Sequence, residues 1–493
     1  FFFDLESCKM RRRATCTLLT TCINWTFNKA TSSSHSVKSF NRATFASSAD
    51  QNSAWASLAY QSGFGNEFAT EALKGALPHG QNTPQHCPYG LYAEQLSGSS
   101  FTTPRARNQR VWLYRIMPTC KHGKWQKTDS GLIRADFSRE NVVPDQLQWG
   151  PLPLPGPEQP TDFLQGWATF CGAGSPELRH GMAIHSYACN RPMERRAMCN
   201  SDGDLLIVPQ TGALRLKTEM GLLTVAPGEI CVVQRGIKFQ VLVDGPSRGY
   251  VAEIFEGHFV LPDLGPVGAW GLANPRDFET PTARYEDAEE PWTLVQKFCG
   301  ALYEAALDRS PFDVVAWHGN YAPYRYDLSR FCAFNSVTFD HLDPSSFTVL
   351  TAQTLEPGVA ACDFVIFPPR WMVQEHSFRP PYYHRNCMSE YMGNIFGTYE
   401  AKQEGFAPGG ASLHSPMIGH GPDAHTFEQG STQELVPTKS DPDALAFMFE
   451  STYMFRVTDF ASNNLLHPEY TKCWAPLRPH FDPENIAAGY GNS

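Results

Sequence analysis

Residues 204–255 read DLLIVPQTGALRLKTEMGLLTVAPGEICVVQRGIKFQVLVDGPSRGYVAEIF. Within this stretch, 204–208, 213–217, 222–225, 230–234, 237–243 and 250–255 are short apolar and β-branched runs. Turn signals part them, at Asp202-Gly203 just ahead of the stretch and at Ala226-Pro227-Gly228 and Asp244-Gly245-Pro246 within it. Short strands at even spacing with a turn between each predict a β-sandwich or jelly roll. Working outward, 111–116 (VWLYRI) is a further strand, and a second β-rich region runs from near Phe331 past Arg370, including Ser336 to Phe339. Between the two regions, 290–309 (EPWTLVQKFCGALYEAALDR) has Leu294, Phe298, Leu302 and Ala306 four apart, which predicts a helix.

Composition narrows the function classes. With 42% apolar and 18% charged residues the 493-residue chain can bury a large core, which excludes overall disorder. A net charge of −10 lacks the basic footprint of a nucleic-acid binder. No run of about 18 uncharged apolar residues is present, so no helical membrane span is expected. The 14 cysteines are scattered and never form a C-x-x-C pair, which predicts buried free thiols in a reducing compartment rather than a disulfide scaffold or zinc ribbon.

The expected organisation is an N-terminal extension over 1–50, a first domain over 51–330 and a second over 331–493. The chain opens on Phe1, with Met10 a candidate start, and no acidic residue lies between Cys8 and Ala49. Lys9, Arg11, Arg12, Arg13, Lys29, Lys38 and Arg42 are basic there, and Ser and Thr are abundant. This is the composition of an organellar transit peptide, and equally of translated upstream sequence or a polar tail. Cytoplasmic residence, with import into an organelle such as the mitochondrion if the extension is a targeting segment, is the expectation.

Two motif matches are set aside. Gly245-Pro246-Ser247-Arg248-Gly249 fits the G-x-S-x-G nucleophile elbow, but the run after it, from Tyr250 to Val260, is β-type rather than helical, so a hairpin turn is expected. Gly63-Phe64-Gly65 lacks the third glycine of a dinucleotide loop.

Five of the 16 histidines lie between 376 and 425. His384, Glu390, His414 and His420 sit there on Gly- and Pro-rich connections, which suits a two-histidine, one-carboxylate holder of non-haem ferrous iron. Hydrogen-bonded loop histidines would account for the same spacing. A straight strand would part the Cα atoms of His384 and Glu390 by ~20 Å. A shared metal therefore requires a bend between them.

Longer strings point further. Ser62-Gly63-Phe64-Gly65-Asn66-Glu67, Trp317-His318-Gly319-Asn320-Tyr321, Phe339-Asp340-His341 with Asp343-Pro344-Ser345, Phe367-Pro368-Pro369-Arg370-Trp371 and Tyr383 through Glu390 together resemble the homogentisate 1,2-dioxygenase family across about 60–480. The resemblance implies a mainly β fold of two cupin-like jelly-roll domains with a few helices. It implies Fe(II) on His384, Glu390 and His420, His341 as proton acceptor, and Tyr399 and His420 against substrate. Asn386 and His414 are expected to support the ligands from behind, and His318 is left without a role. The implied reaction converts homogentisate and dioxygen to maleylacetoacetate in tyrosine and phenylalanine breakdown, in a homohexamer of two trimers. Aligning Gly203 and Gly228 to the cupin glycines places Pro209, Thr211 and Phe239 at ligand positions, so the first barrel is expected to be metal-free. A gentisate-type dioxygenase and a non-catalytic two-barrel protein are the alternatives.

The extension holds none of these residues. A chain starting at Gln51 should keep normal turnover, and a fluorescent fusion of residues 10–50 should leave the cytosol if the segment is a targeting signal.

Overall fold

The structure, a computed structural model, describes Trp55 and residues 58–263, 272–402 and 405–484. The expected extension over 1–50 lies outside them. The architecture is mainly β, with helices Ala424–Thr432 and Asp459–Asn463 and a few single 3-10 turns.

A nine-stranded sheet forms the middle of the molecule. Its central strands are Glu229–Val233, Asp204–Thr211, Ser247–Ile254 and His180–Cys189, all antiparallel to their neighbours. The run Asp204 to Val208 has no polar alternation because both faces of this sheet are covered. Leu205 and Ile207 face a seven-stranded sheet and share its core with Leu216, Phe239, Val251 and Val295. Leu206 and Val208 face the other way, towards Phe364, Tyr391, Phe447 and Phe449 of a six-stranded sheet. Phe239, at an expected ligand position, is thus a fully buried core side chain of the first sandwich.

The six-stranded sheet is built mostly from later sequence. It runs Thr348–Gln353, Ala360–Phe367, Leu445–Ser451, Ser389–Phe396, Ala411–His414, and ends on Leu147–Trp149 from the first half. In return, Arg456–Val457 pairs with Trp167–Ser175 at the edge of the central sheet. Strand pairing therefore crosses the expected boundary near 330 in both directions. Trp149 secures one crossing: it is 1% exposed, packs its ring against Phe170 and Tyr391, and donates Nε1–H to the Ala461 carbonyl at 2.8 Å.

Three local expectations need correction. The segment 290–309 is a hairpin, Trp292–Phe298 against Ala301–Leu307, not a helix. A spacing of four satisfies a strand's period of two as well as a helix's 3.6, and the turn residues Cys299 (φ 49°) and Gly300 (φ 74°) break the tie. Ser336 to Phe339 forms no strand; Val337 and Phe339 are exposed and no neighbouring strand pairs with them. The Gly245–Gly249 turn is followed by a strand rather than a helix, but it does not close a hairpin. It carries the chain from Lys238–Leu242 in the seven-stranded sheet to Ser247–Ile254 in the central one. The described cysteines are all free; Cys171, Cys189, Cys199, Cys231 and Cys362 are buried as expected, whereas Cys120, Cys299, Cys332 and Cys387 are exposed.

The contact between the central and six-stranded sheets is close. Tyr250 donates its hydroxyl to the carbonyls of Asn394 and Gly410, at 3.1 and 2.8 Å, and its ring meets Phe447 edge-on at 4.9 Å. A Cβ on Gly393 would lie 2.3 Å from the Phe447 ring and 3.1 Å from that of Tyr250. Gly393→Ala should therefore overpack this seam, cost about 1–3 kcal/mol and lower the thermal midpoint. Gly156→Ala, where an added Cβ meets nothing within 4 Å, is the control that should melt normally.

Candidate metal centre

Alternation along Ser389–Phe396 sorts its two faces. Tyr391 enters the shared core, so Glu390 points to the opposite face of the sheet. Register places Glu390 beside His414 on one side and Glu450 on the other, with Asp363 beyond Glu450. One row of polar side chains thus crosses four strands on the face turned away from the core.

The bend required between His384 and Glu390 is present, and Asn386 makes it. Its Oδ1 accepts from the Met388 N–H at 2.7 Å, a two-residue side-chain turn, while its Nδ2 donates to Glu390 Oε1 at 2.5 Å. His384 and His420 exchange backbone N–H···O bonds of 2.9 and 3.1 Å across an isolated bridge, which brings their rings to 4.2 Å. Glu390 Oε1 then lies 3.2 Å from His384 Nε2, and Oε2 lies 3.1 Å from His420 Nε2.

The fit to a cation rests on the other ring nitrogens. His384 Nδ1–H donates to the Tyr382 carbonyl and His420 Nδ1–H to that of Ile418, each at 2.9 Å. In the neutral rings each Nε2 then carries a lone pair, and both lone pairs face one carboxylate. That arrangement is repulsive unless positive charge enters, either as a proton on Nε2 or as a metal ion held between the three groups. Ligand atoms bound at ~2.1 Å and mutually cis would sit ~3 Å apart, close to the two separations between an Nε2 and its facing Glu390 oxygen. Among the described residues, His384, Glu390 and His420 are the group able to hold a metal ion, with ligand atoms within 4.8 Å of one another.

The surroundings keep the remaining charge low. Burial opposes the charge on Glu390, but hydrogen bonding from Nε2–H of His384 and His420, the alternative to a metal between them, outweighs it and holds this carboxyl well below the usual range. Glu390 in turn pushes the His384 imidazole up. Burial, with Glu390 and Asp363 nearby, lifts the Glu450 carboxyl to about 8, and burial lifts Asp363 as well. Burial, reinforced by His420, pushes His414 down to about 3, so it is neutral. His414 stacks on His420 at 4.2 Å and its Nε2 meets the Tyr470 hydroxyl at 2.8 Å.

His384, Glu390, His420 and Tyr399 line one cavity, together with His414, Lys402, Gln148, Phe406, Asp423 and Tyr470. Tyr399 is half-buried between Phe367 and Phe406, and burial raises its phenol, so it is a neutral O–H donor. His341 is not on the cavity wall. It stands behind Tyr382, ring centroids 6.2 Å apart, and Tyr382 in turn stands 5.6 Å from His384. Its Nδ1–H donates to the Leu342 carbonyl at 2.7 Å, and its Nε2 is buried without a partner among the described residues. Burial lowers its pKa, so that nitrogen holds a free lone pair. His318 stays apart from the site, against the Tyr114 hydroxyl at 3.3 Å. Gln148, Glu450, Lys402 and Tyr470 are not legible in the sequence as site residues. They lie far from the histidine-rich passage or carry no motif, and only strand register brings them in.

Family models described as homogentisate 1,2-dioxygenase N-terminal and C-terminal match residues 59–328 and 329–481. The chain is 58% identical over 420 residues to a protein of Dictyostelium discoideum named homogentisate 1,2-dioxygenase, covering 85% of this chain and 97% of that one. Identically named proteins of Homo sapiens and Arabidopsis thaliana are 54% identical over 437 residues and 56% over 433. They cover 87% and 86% of this chain, and 98% and 93% of their own. With models of both halves matched over adjoining residues and relatives covered over nearly their whole length, the chain belongs to the homogentisate 1,2-dioxygenase family.

Proposed function

We propose that this protein is an iron(II)-dependent dioxygenase that cleaves the ring of homogentisate with dioxygen, giving maleylacetoacetate in the breakdown of tyrosine and phenylalanine. The observation that carries this reading is the pair of imidazoles whose Nε2 atoms converge on Glu390 while each Nδ1–H is committed to a carbonyl. His384, Glu390 and His420 would hold the ferrous ion, which supplies the Lewis acidity and redox chemistry that let triplet dioxygen react with a closed-shell ring.

The chain's own groups do the rest. A phenolate donates electrons far better than a phenol, so the ring hydroxyl must lose its proton; we assign that proton to His341, whose Nε2 has no partner among the described residues, although it stands behind Tyr382 rather than on the cavity wall. Tyr399, kept as a neutral phenol by burial, can donate a hydrogen bond that orients the bound ring, and His420 stands beside it. The apolar walls at Phe406 and Met392 limit water around the reacting ring. Both oxygen atoms are incorporated as one ring carbon–carbon bond breaks. The first sandwich, its interior filled by apolar side chains, is assigned no metal. Homohexamer assembly as two trimers, and cytoplasmic residence with organellar import through residues 1–50, complete the proposal; sedimentation and the reporter fusion test them.

Metal analysis of the Fe(II)-loaded protein should find one iron per chain, with one dioxygen consumed per homogentisate and little activity on gentisate. His384→Ala, Glu390→Ala and His420→Ala should each lose both metal and turnover while the β-rich circular dichroism spectrum persists; full activity in any one of them rejects that ligand. His341→Ala should keep its iron and its fold but turn over about 10²- to 10⁴-fold more slowly. Near-normal turnover with a lowered thermal midpoint would make His341 structural.

A further inference from the structure

We propose that Lys402 binds the carboxylate of the substrate and thereby sets which edge of the ring meets the His384–Glu390–His420 centre. This assignment rests on the homogentisate reading above. That substrate joins an aromatic diol to an acetate arm, so its site needs a cation as well as a metal.

Lys402 is the sole lysine or arginine among the described residues lining the cavity. The imidazoles there are otherwise engaged: two turn Nε2 to Glu390, and His414 turns its Nε2 to the Tyr470 hydroxyl. The Lys402 ammonium donates to Gln148 Oε1 at 2.8 Å and lies 3.9 Å from the centroid of the Tyr470 ring. Gln148 is itself oriented, because its Nε2 donates to the Gly405 carbonyl and so leaves Oε1 towards the lysine.

No described carboxylate lies within ion-pairing distance of Lys402, which sets it apart from Arg115, paired with Asp313 and Glu219, and from Arg370, paired with Glu400. Asp423, the other acid on the wall besides Glu390, has its Oδ1 turned to the Thr426 N–H, where it caps the helix Ala424–Thr432 at 2.7 Å. A half-buried cation without a counter-ion is unfavourable until an anion arrives. An ammonium has three donors, and among the described residues this one meets a single protein acceptor.

Position agrees with chemistry. Lys402, Gln148, Asp423, Tyr470 and Cys473 line both the metal cavity and the open groove outside it, so the ammonium stands at the neck between them. A molecule entering ring-first leaves its acetate arm there.

The test uses the iron-loaded protein with homogentisate and its neutral isostere 2,5-dihydroxyphenylacetamide, measuring Kd by titration without oxygen and KM with it. Lys402→Gln should raise Kd and KM for homogentisate about 10- to 100-fold and move those for the amide less than about threefold. Lys402→Arg should restore most of the loss, and iron content should be unchanged throughout. Equal losses on both compounds, or no loss on homogentisate, would overturn the assignment. Should Lys402→Gln not fold, the unmodified protein decides alone: the amide must bind at least about tenfold more weakly than homogentisate, and parity overturns the proposal. A wild-type protein that consumes no homogentisate would instead refute the underlying reading, and this assignment with it.

Discussion

The apolar seam between the central sheet and the six-stranded sheet is the contact on which the rest depends. Tyr250, Phe447, Phe449 and Tyr391 fill it, and Gly393 leaves room for the rings. Because side chains alternate along a strand, committing Tyr391 and Leu413 to the seam forces Glu390 and His414 to the opposite face. A one-residue slip would turn the ligand carboxylate into the core. Hydrophobic packing on one side of the sheet is thus what aims the polar chemistry on the other.

That chemistry depends on limiting charge. Asp363, Glu450 and Glu390 stand in one row across neighbouring strands. Three ionised carboxylates so placed, away from water, would repel strongly. Burial keeps the first two towards their protonated forms, while two imidazoles hold the third ionised. The centre therefore presents a divalent cation with one carboxylate and two Nε2 atoms, and a metal entering there would replace the hydrogen bonds now joining them. A neutral His414 behind His420, hydrogen-bonded to Tyr470, adds no competing positive charge.

Much of this is legible in the residues themselves, and the gaps have physical causes. The strand runs between 204 and 255 recur at nearly the expected limits, because turn residues punctuate them. The unbroken apolar character of Leu205 to Val208 also holds the information that both faces are covered, but a run of that kind does not say by what. The segment 290–309 reads as a helix because spacing by four serves both periods, and the turn at Cys299-Gly300 carries the deciding signal. The need for a bend between His384 and Glu390 comes from reach alone. That Asn386 builds it requires the turn geometry. Gln148 and Lys402 meet through a strand pairing between residues far apart in the chain, which no local pattern encodes.

The strand Leu147–Trp149 carries a consequence for how the molecule is made. It is synthesised with the first half of the chain, yet its hydrogen-bonding partner is Ala411–His414. A nascent chain emerging from its N-terminus must hold this short edge, with the indole of Trp149, unpaired through the synthesis of everything between. During that interval the exposed edge is a point at which neighbouring chains can pair wrongly. Its brevity, and Pro151, Pro153 and Pro155 directly after it, restrict such pairing, since proline supplies no ladder donor. Closure of this edge also delivers Gln148 to the cavity, so that part of the wall cannot form until Ala411–His414 has been made.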